Sequence, residues 1–225
     1  NGGGRSAPRR AQSLGSGFII DGSGIVVTNN HVIVDADEIK VRLQDDTEFE
    51  AKLLGRDPKT DLAVLKIEPG ETKLTAVSFG DSDKLRVGDW VVAVGTPFGL
   101  GGTVTAGIVS ARGRDINQGP YDDFIQTDAS INKGNSGGPL LNSNVHLVGV
   151  NTAIYSPTGA SAGIGFAIPV NAVKVIIPQL IKHGKLIGPV IVIESLTDYW
   201  TRRLKVKGVA ILSVREGLPA AKAGM

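Results

Sequence analysis

The chain has 225 residues, enough for one medium domain or two small ones and for a sizeable buried core. Its 24 Lys and Arg against 22 Asp and Glu leave a formal charge of +2, so neither nucleic acid nor an anionic membrane is indicated as the main partner. It has no cysteine, which removes disulfides, thiol nucleophiles and thiolate metal sites, and no run of 18 apolar residues, so no helical membrane span is expected.

Residues 1–13 are Gly-rich, basic and polar and read as a mobile arm or the end of a loop. No targeting leader is visible ahead of them, and one is expected to lie outside this sequence. From Leu14 short apolar runs alternate with Gly, Asp and Asn. Strands are predicted at 17–20, 24–28, 39–43, 48–55, 62–67, 90–94, 103–111, 124–127, 147–153 and 163–168. Glycine fills 30 positions, well above a usual share of about 7%, as a protein of many tight turns requires. No strand–helix alternation occurs, which argues against a parallel doubly wound sheet.

One helix follows. Val170, Val173, Ile176, Ile177, Leu180 and Ile181 recur at three and four residues. Asn171 is the expected N-cap and Gly184 the terminator, and Pro178 predicts a kink or a late start. Beyond it, 190–194 and 208–214 are strand-like and LPAAKAGM (218–225) carries a short helix signal.

The chemistry concentrates in Gly134-Asn135-Ser136-Gly137-Gly138-Pro139-Leu140. A nucleophilic serine needs an exposed hydroxyl on a sharp turn, with backbone N–H groups aimed at the oxygen that becomes negative in acyl transfer. Flanking glycines permit that backbone, and the N–H groups of Gly134 and Ser136 are the candidate oxyanion donors. The same spacing also suits a plain strand-to-strand turn. The serine needs a base. His146 reads as a strand residue and His183 as a cation at a helix end. His31 follows a strand in TNNHV and gains interest only together with Ser136. Asp61, opening the run DLAVLK, is the candidate that holds the histidine, and Asp57 and Asp81 compete from turn-like surroundings. No histidine follows any acid after Ser136, which excludes the nucleophile–acid–histidine order of α/β-hydrolases. The order His31, Asp61, Ser136 is that of the chymotrypsin type.

SLGSGFII (13–20), TNNHV (28–32), TDLAVLKI (60–67), RVGDWVVAVGTPFGL (86–100), TVTAGIVSA (103–111), DFIQTDASINKGNSGGPL (123–140), VGVNTAI (148–154) and GIGFAIPVN (163–171) together resemble the Deg/HtrA serine endopeptidases over roughly residues 13–184. The resemblance implies an all-β, two-barrel chymotrypsin-like (trypsin-like) fold with a C-terminal helix over 14–186. His31 is then the base, Asp61 its orienter and Ser136 the nucleophile. Residues 187–225 resemble the beginning of a PDZ domain, mainly through GVAILSV and GLPAAKAGM. The family usually has a strand ahead of GSGF; none is visible here, so an incomplete first barrel is expected.

By similarity Ile131 and Ile164, with the stretch from Tyr155, line a small apolar pocket. No Asp or Glu occurs between Gly134 and His183, which argues against a basic-residue pocket from that side. The expected cut follows Val, Ala or Ile in unfolded chains. Asn135 cannot form the ion pair that an Asp would offer a new N-terminus, so loop ordering is the expected control. The resemblance points to Arg114 as the relay. No metal or cofactor is implied. Expected partners are misfolded proteins, peptide activators and further copies in a homotrimer or larger assembly, in the periplasm or cell envelope, with an organelle lumen as second choice. A chaperone with a silent protease site is the competing expectation.

Overall fold

The computed structural model describes residues 15–96, 102–116, 122–132, 134–154, 156, 161–187, 193–195 and 211–214. Two compact units divide the chain at Leu186 and Ile187. The first begins with β1 (Phe18–Asp21), β2 (Ile25–Asn29), a one-turn helix α1 (Asn30–Ile33), β3 (Ile39–Arg42), β4 (Glu48–Asp57) and β5 (Leu62–Ile67). These strands form an antiparallel sheet in the order β1-β2-β5-β4-β3. The central strand β5 reads LAVLKI because five of its six residues are buried. The edge strand β3 alternates instead, with Ile39 and Val41 inward and Lys40 and Arg42 in solvent.

A 3-10 turn (Ser82–Lys84) leads to β6 (Trp90–Gly95), β7 (Thr103–Arg114), β8 (Phe124–Thr127), β9 (Pro139–Asn142), β10 (Leu147–Ile154) and β11 (Gly165–Pro169). They close into a barrel in the order β10-β11-β8-β7-β6-β9, with β9 pairing back onto β10. Val91, Ala93, Val109, Ile125, Ile131, Leu140, Val148 and Ala167 fill its interior. The fold is thus mostly β, with an open sheet where the first barrel was expected, a closed barrel, and a helix at the end. Strand β9 escaped the sequence reading. It is short, and its leading Pro139 lacks a ladder N–H, which is tolerated at a strand's first residue.

Helix α2 (Val170–His183) packs Val170, Val173, Ile176, Ile177 and Leu180 into a core shared with Phe18, Val27, Leu62 and Val64 of the sheet and Leu147, Val150 and Ile168 of the barrel. Each such side chain contributes roughly 1.5–3 kcal/mol by leaving water. Gly184 ends the helix at φ 72°, its N–H donating to the carbonyl of Leu180. Asn171 is not the N-cap. Pro169 holds that position without a side-chain bond, and the helix starts at Val170 rather than late. The capping task passes to the 3-10 turn: the Asn171 N–H donates to Ser82 Oγ, and its Nδ2 donates to Asp81. That bond, followed by the Asp83 N–H, holds the Asp81 carboxyl below its ordinary value.

His146 is likewise not a strand residue. It ends the exposed turn between β9 and β10, where Val145 stands at φ 60°. Within the second unit, β12 (Ile193–Ser195) and β13 (Ile211–Val214) pair antiparallel; β13 lies inside the predicted 208–214, and β12 overlaps the predicted 190–194 and extends one residue beyond it. The predicted arm (1–13), Tyr155 and the LPAAKAGM helix lie outside the described residues.

Candidate active site

Strand β2 ends at buried Asn29, and α1 turns His31 out of the sheet. Asp61 stands at the mouth of β5 with φ 54°, a conformation that Asp adopts more readily than most residues. Four bonds lock this pair of chain ends. The Asp61 carbonyl accepts from the Asn30 N–H and from Asn29 Nδ2. Its carboxylate accepts the His31 N–H at 2.9 Å through one oxygen and meets His31 Nδ1 at 2.7 Å through the other. A carboxylate oxygen in that contact can only accept, so Nδ1 keeps its proton and donates, which leaves Nε2 as the ring's acceptor. His31 is half exposed, at 48%, and Asp61 less so, at 28%.

The second Asp61 oxygen also accepts the Thr152 hydroxyl at 2.7 Å. The Thr152 carbonyl, in turn, accepts the Ser136 hydroxyl at 3.3 Å. The structure therefore brings His31, Asp61 and Ser136 into one hydrogen-bonded chain through a residue the sequence reading passed over. The register explains its position: Asn151 faces Ala167 and Ala153 faces Phe166, so Thr152 is an extra residue in β10, a bulge. Bulges re-aim side chains and recur next to active sites.

The turn that carries Ser136 is held from outside its own barrel. Ser16 donates from its N–H to the Ser136 carbonyl at 2.8 Å and from its hydroxyl to the Gly134 carbonyl at 2.6 Å. The same hydroxyl accepts the Thr96 N–H, and the Ser16 carbonyl accepts the Thr28 hydroxyl. Gly137 sits at φ 84°, and a Cβ there would overlap the Ser16 carbonyl and the Thr28 hydroxyl. Gly138 N–H donates to the Asn135 carbonyl. That trans peptide thereby turns its other end, the Ser136 N–H, the opposite way.

Ile131 is fully buried in the barrel core and fills the space over Gly165; Ile164 beside it is half-buried. The Ser130 carbonyl accepts from Asn135 Nδ2 and from Thr105. Arg114, exposed at the end of β7, donates from Nε to Gln126 at 3.0 Å. The competing acids are structural. Asp57 accepts the N–H and hydroxyl of Thr60, stapling the turn before Asp61, and Asp81 serves α2.

The trypsin-like peptidase domain family matches residues 15–150. A solved structure of the HtrA-type protease AlgW with a tripeptide superimposes at TM-score 0.83 with 45% identity, over 93% of this chain and 71% of that one. The chain belongs to the trypsin-like peptidases of HtrA type. A second HtrA-type structure, AlgW with a decapeptide, gives TM-score 0.82 at 45% identity over 94% of this chain and 66% of its own. A probable periplasmic serine endoprotease, DegP-like, from Brucella suis biovar 1 (strain 1330) is 54% identical over 228 residues, covering 98% of this chain and 44% of the relative. One of the same description from Rickettsia conorii (strain ATCC VR-613 / Malish 7) is 53% identical over 223 residues, covering 94% and 43%. The HtrA-type chain thus spans less than half the length of these curated relatives.

Proposed function

We propose that the chain is a serine endopeptidase in which Ser136 is the nucleophile, His31 the general base and Asp61 the residue that holds the imidazole. The observation that supports this best is the connected path from His31 through Asp61 and Thr152 to Ser136. The Ser136 hydroxyl rotates from the Thr152 carbonyl toward His31 Nε2 and attacks the substrate carbonyl carbon, its proton passing to Nε2. The N–H groups of Ser136 and Gly134 receive the negative oxygen. As the C–N bond breaks, the imidazolium returns that proton to the leaving amine. Water, deprotonated by the same ring, then releases the acyl group and regenerates Ser136. None of these steps needs ATP or a metal.

The substrates of this reading are unfolded or misfolded proteins, cut after Val, Ala or Ile held between Ile131, Ile164 and the Tyr155 region. An apolar pocket separates neighbouring aliphatic residues by only about 1–3 kcal/mol per methylene, so many chains are accepted. The names of the relatives favour a periplasmic setting. Peptide-bound AlgW structures favour peptides as ligands. We assign residues 187–225 to the start of a PDZ domain, Arg114 to relaying its state, and the working form to a homotrimer or larger assembly.

A chaperone reading draws on one observation: the Ser136 hydroxyl is bonded to Thr152, a resting arrangement that activation must change. Cleavage of casein without ATP by the chain and by Ser136→Ala separates the two readings. The expected result is loss on the order of a million-fold in the variant. Equal cleavage by both proteins removes Ser136 as nucleophile, and suppression of aggregation without any cleavage supports the chaperone.

A further inference from the structure

A cavity of about 400 Å³ opens beside the candidate triad, with neither Ile131 nor Ile164 in its lining. That size lies within the roughly 300–1,000 Å³ of small-ligand pockets. It draws residues from α1, the Pro58–Asp61 turn before β5, the start of β8, Thr152 of β10, the end of β11, and α2. Its wall is apolar, made by Pro58, Phe124, Ile168, Pro169, Ala172 and Ile176. Its charged lining is mostly acidic, with Asp61, Asp122 and Asp123 against Lys59, beside the polar Asn30, His31, Thr60 and Thr152. Asp61 reaches it from the open sheet, and Asp122 and Asp123 from the segment that enters β8 of the barrel, so the fold brings these charges together.

The charged lining is net acidic, while its wall offers apolar surface. A lysine or arginine side chain matches both: a long aliphatic stem that packs on the wall, and a cationic head whose N–H donors suit the carboxylates.

We infer that this cavity takes a basic side chain of the polypeptide bound at Ser136, giving the protease a second, charge-based selectivity beside the aliphatic preference at the cut. The inference rests on the protease reading. Thr152 makes it geometrically direct, because this residue lines the cavity while its carbonyl accepts the Ser136 hydroxyl. A chain lying against Ser136 thus passes the cavity mouth within a few residues of the scissile bond.

The test uses the whole chain and fluorogenic peptides that share one aliphatic cleavage residue. One further position at a time, on either side of the cut, carries Lys, norleucine or Glu. At one position Lys is expected to exceed norleucine by about five- to tenfold in kcat/KM, and Glu to fall below both, as suits a partly exposed charged hydrogen bond. Asp123→Asn should narrow the Lys-to-norleucine ratio. A ratio near one at every position, or one unchanged by Asp123→Asn, overturns the proposal. If Asp123→Asn does not fold, the parent protein decides: inhibition by n-hexylamine but not n-hexanol supports the site, and equal effects reject it. A parent that cleaves none of the peptides sinks the protease reading instead. Perturbation of the Ile168 and Ile176 methyl signals by n-hexylamine then reports on the cavity alone, and unmoved signals reject it.

Discussion

The two halves that meet at Ser136 are built differently. The sheet that carries His31 and Asp61 is open, and its central strand is buried on both faces. The barrel that carries Ser136 is closed around its own apolar filling. Neither half holds its functional group alone. Thr152 of the barrel reaches across to the Asp61 carboxylate, and Ser16 ahead of the sheet reaches across to the carbonyls of Gly134 and Ser136. Each half therefore braces the other's functional residue. Precision at the site comes from this exchange, while the common core under α2 keeps the halves in register.

Four substitutions strain that picture. Asp61→Asn has the largest expected effect. Asn tolerates φ 54° as Asp does, so the fold stays, but the His31 ring loses the acceptor that fixes its tautomer. A fall of about ten-thousand-fold in kcat with little change in Tm is expected from kinetics and calorimetry. An active Asp61→Asn protein would remove the sheet from the chemistry. Leu180→Ala, at the fully buried end of the shared core, should cost about 2–5 kcal/mol in urea unfolding. It should leave one transition for sheet and barrel together; two separated transitions would show that the helix does not couple them.

Ser16→Ala tests the bracing directly. It withdraws the hydroxyl that serves the Gly134 carbonyl and the Thr96 N–H, at a cost of about 1–3 kcal/mol. The expected signature under the protease reading is a lower kcat at nearly constant KM, since the turn that carries Ser136 loosens while the residues around Ile131 stay. Unchanged kinetics and stability would leave the barrel holding its turn unaided. Val145→Gly is the control far from the cleft. A β-branched residue at φ 60° costs about 1–2 kcal/mol, and the flexibility of glycine in the unfolded chain returns part of that. Net stabilisation of about 0.5–1 kcal/mol and a Tm raised by about 1–4 °C are expected, without change in activity.

What the sequence disclosed follows the range of the forces involved. The glycine turn around Ser136, the stop at Gly184 and the apolar stripe of α2 are local and are written within a few residues. The order His31, Asp61, Ser136 is global, yet it survives projection onto the chain. Ser16 and Thr152 do not. Their partners lie 118 and 91 residues away, and an isolated serine or threonine carries no mark of such a bond. Thr152 is further hidden because its position depends on a bulge, which alternation alone does not announce. The capping of α2 misled for a similar reason: Asn171 is a good cap by type, but Ser82 and Asp81 reach the helix start from 89 and 90 residues upstream. Four buried asparagines, Asn29, Asn30, Asn135 and Asn151, flank the three candidate residues and Thr152. Their burial depends on packing between distant segments and is not written in the local sequence.

The shared core also sets a timetable. Phe18 lies near the start of the first unit and Leu180 near its end, and both belong to one apolar cluster. As the chain emerges during synthesis, the sheet that carries His31 and Asp61 is complete long before its largest packing partner exists. Contacts between distant parts of a chain form late, because loop closure must precede them. The strands of the barrel and then α2 must follow before Ser136 is clamped against Thr152 and Ser16. A half-made chain therefore lacks the partners that join Ser136 to Asp61 and His31, and only a finished first unit assembles the candidate site.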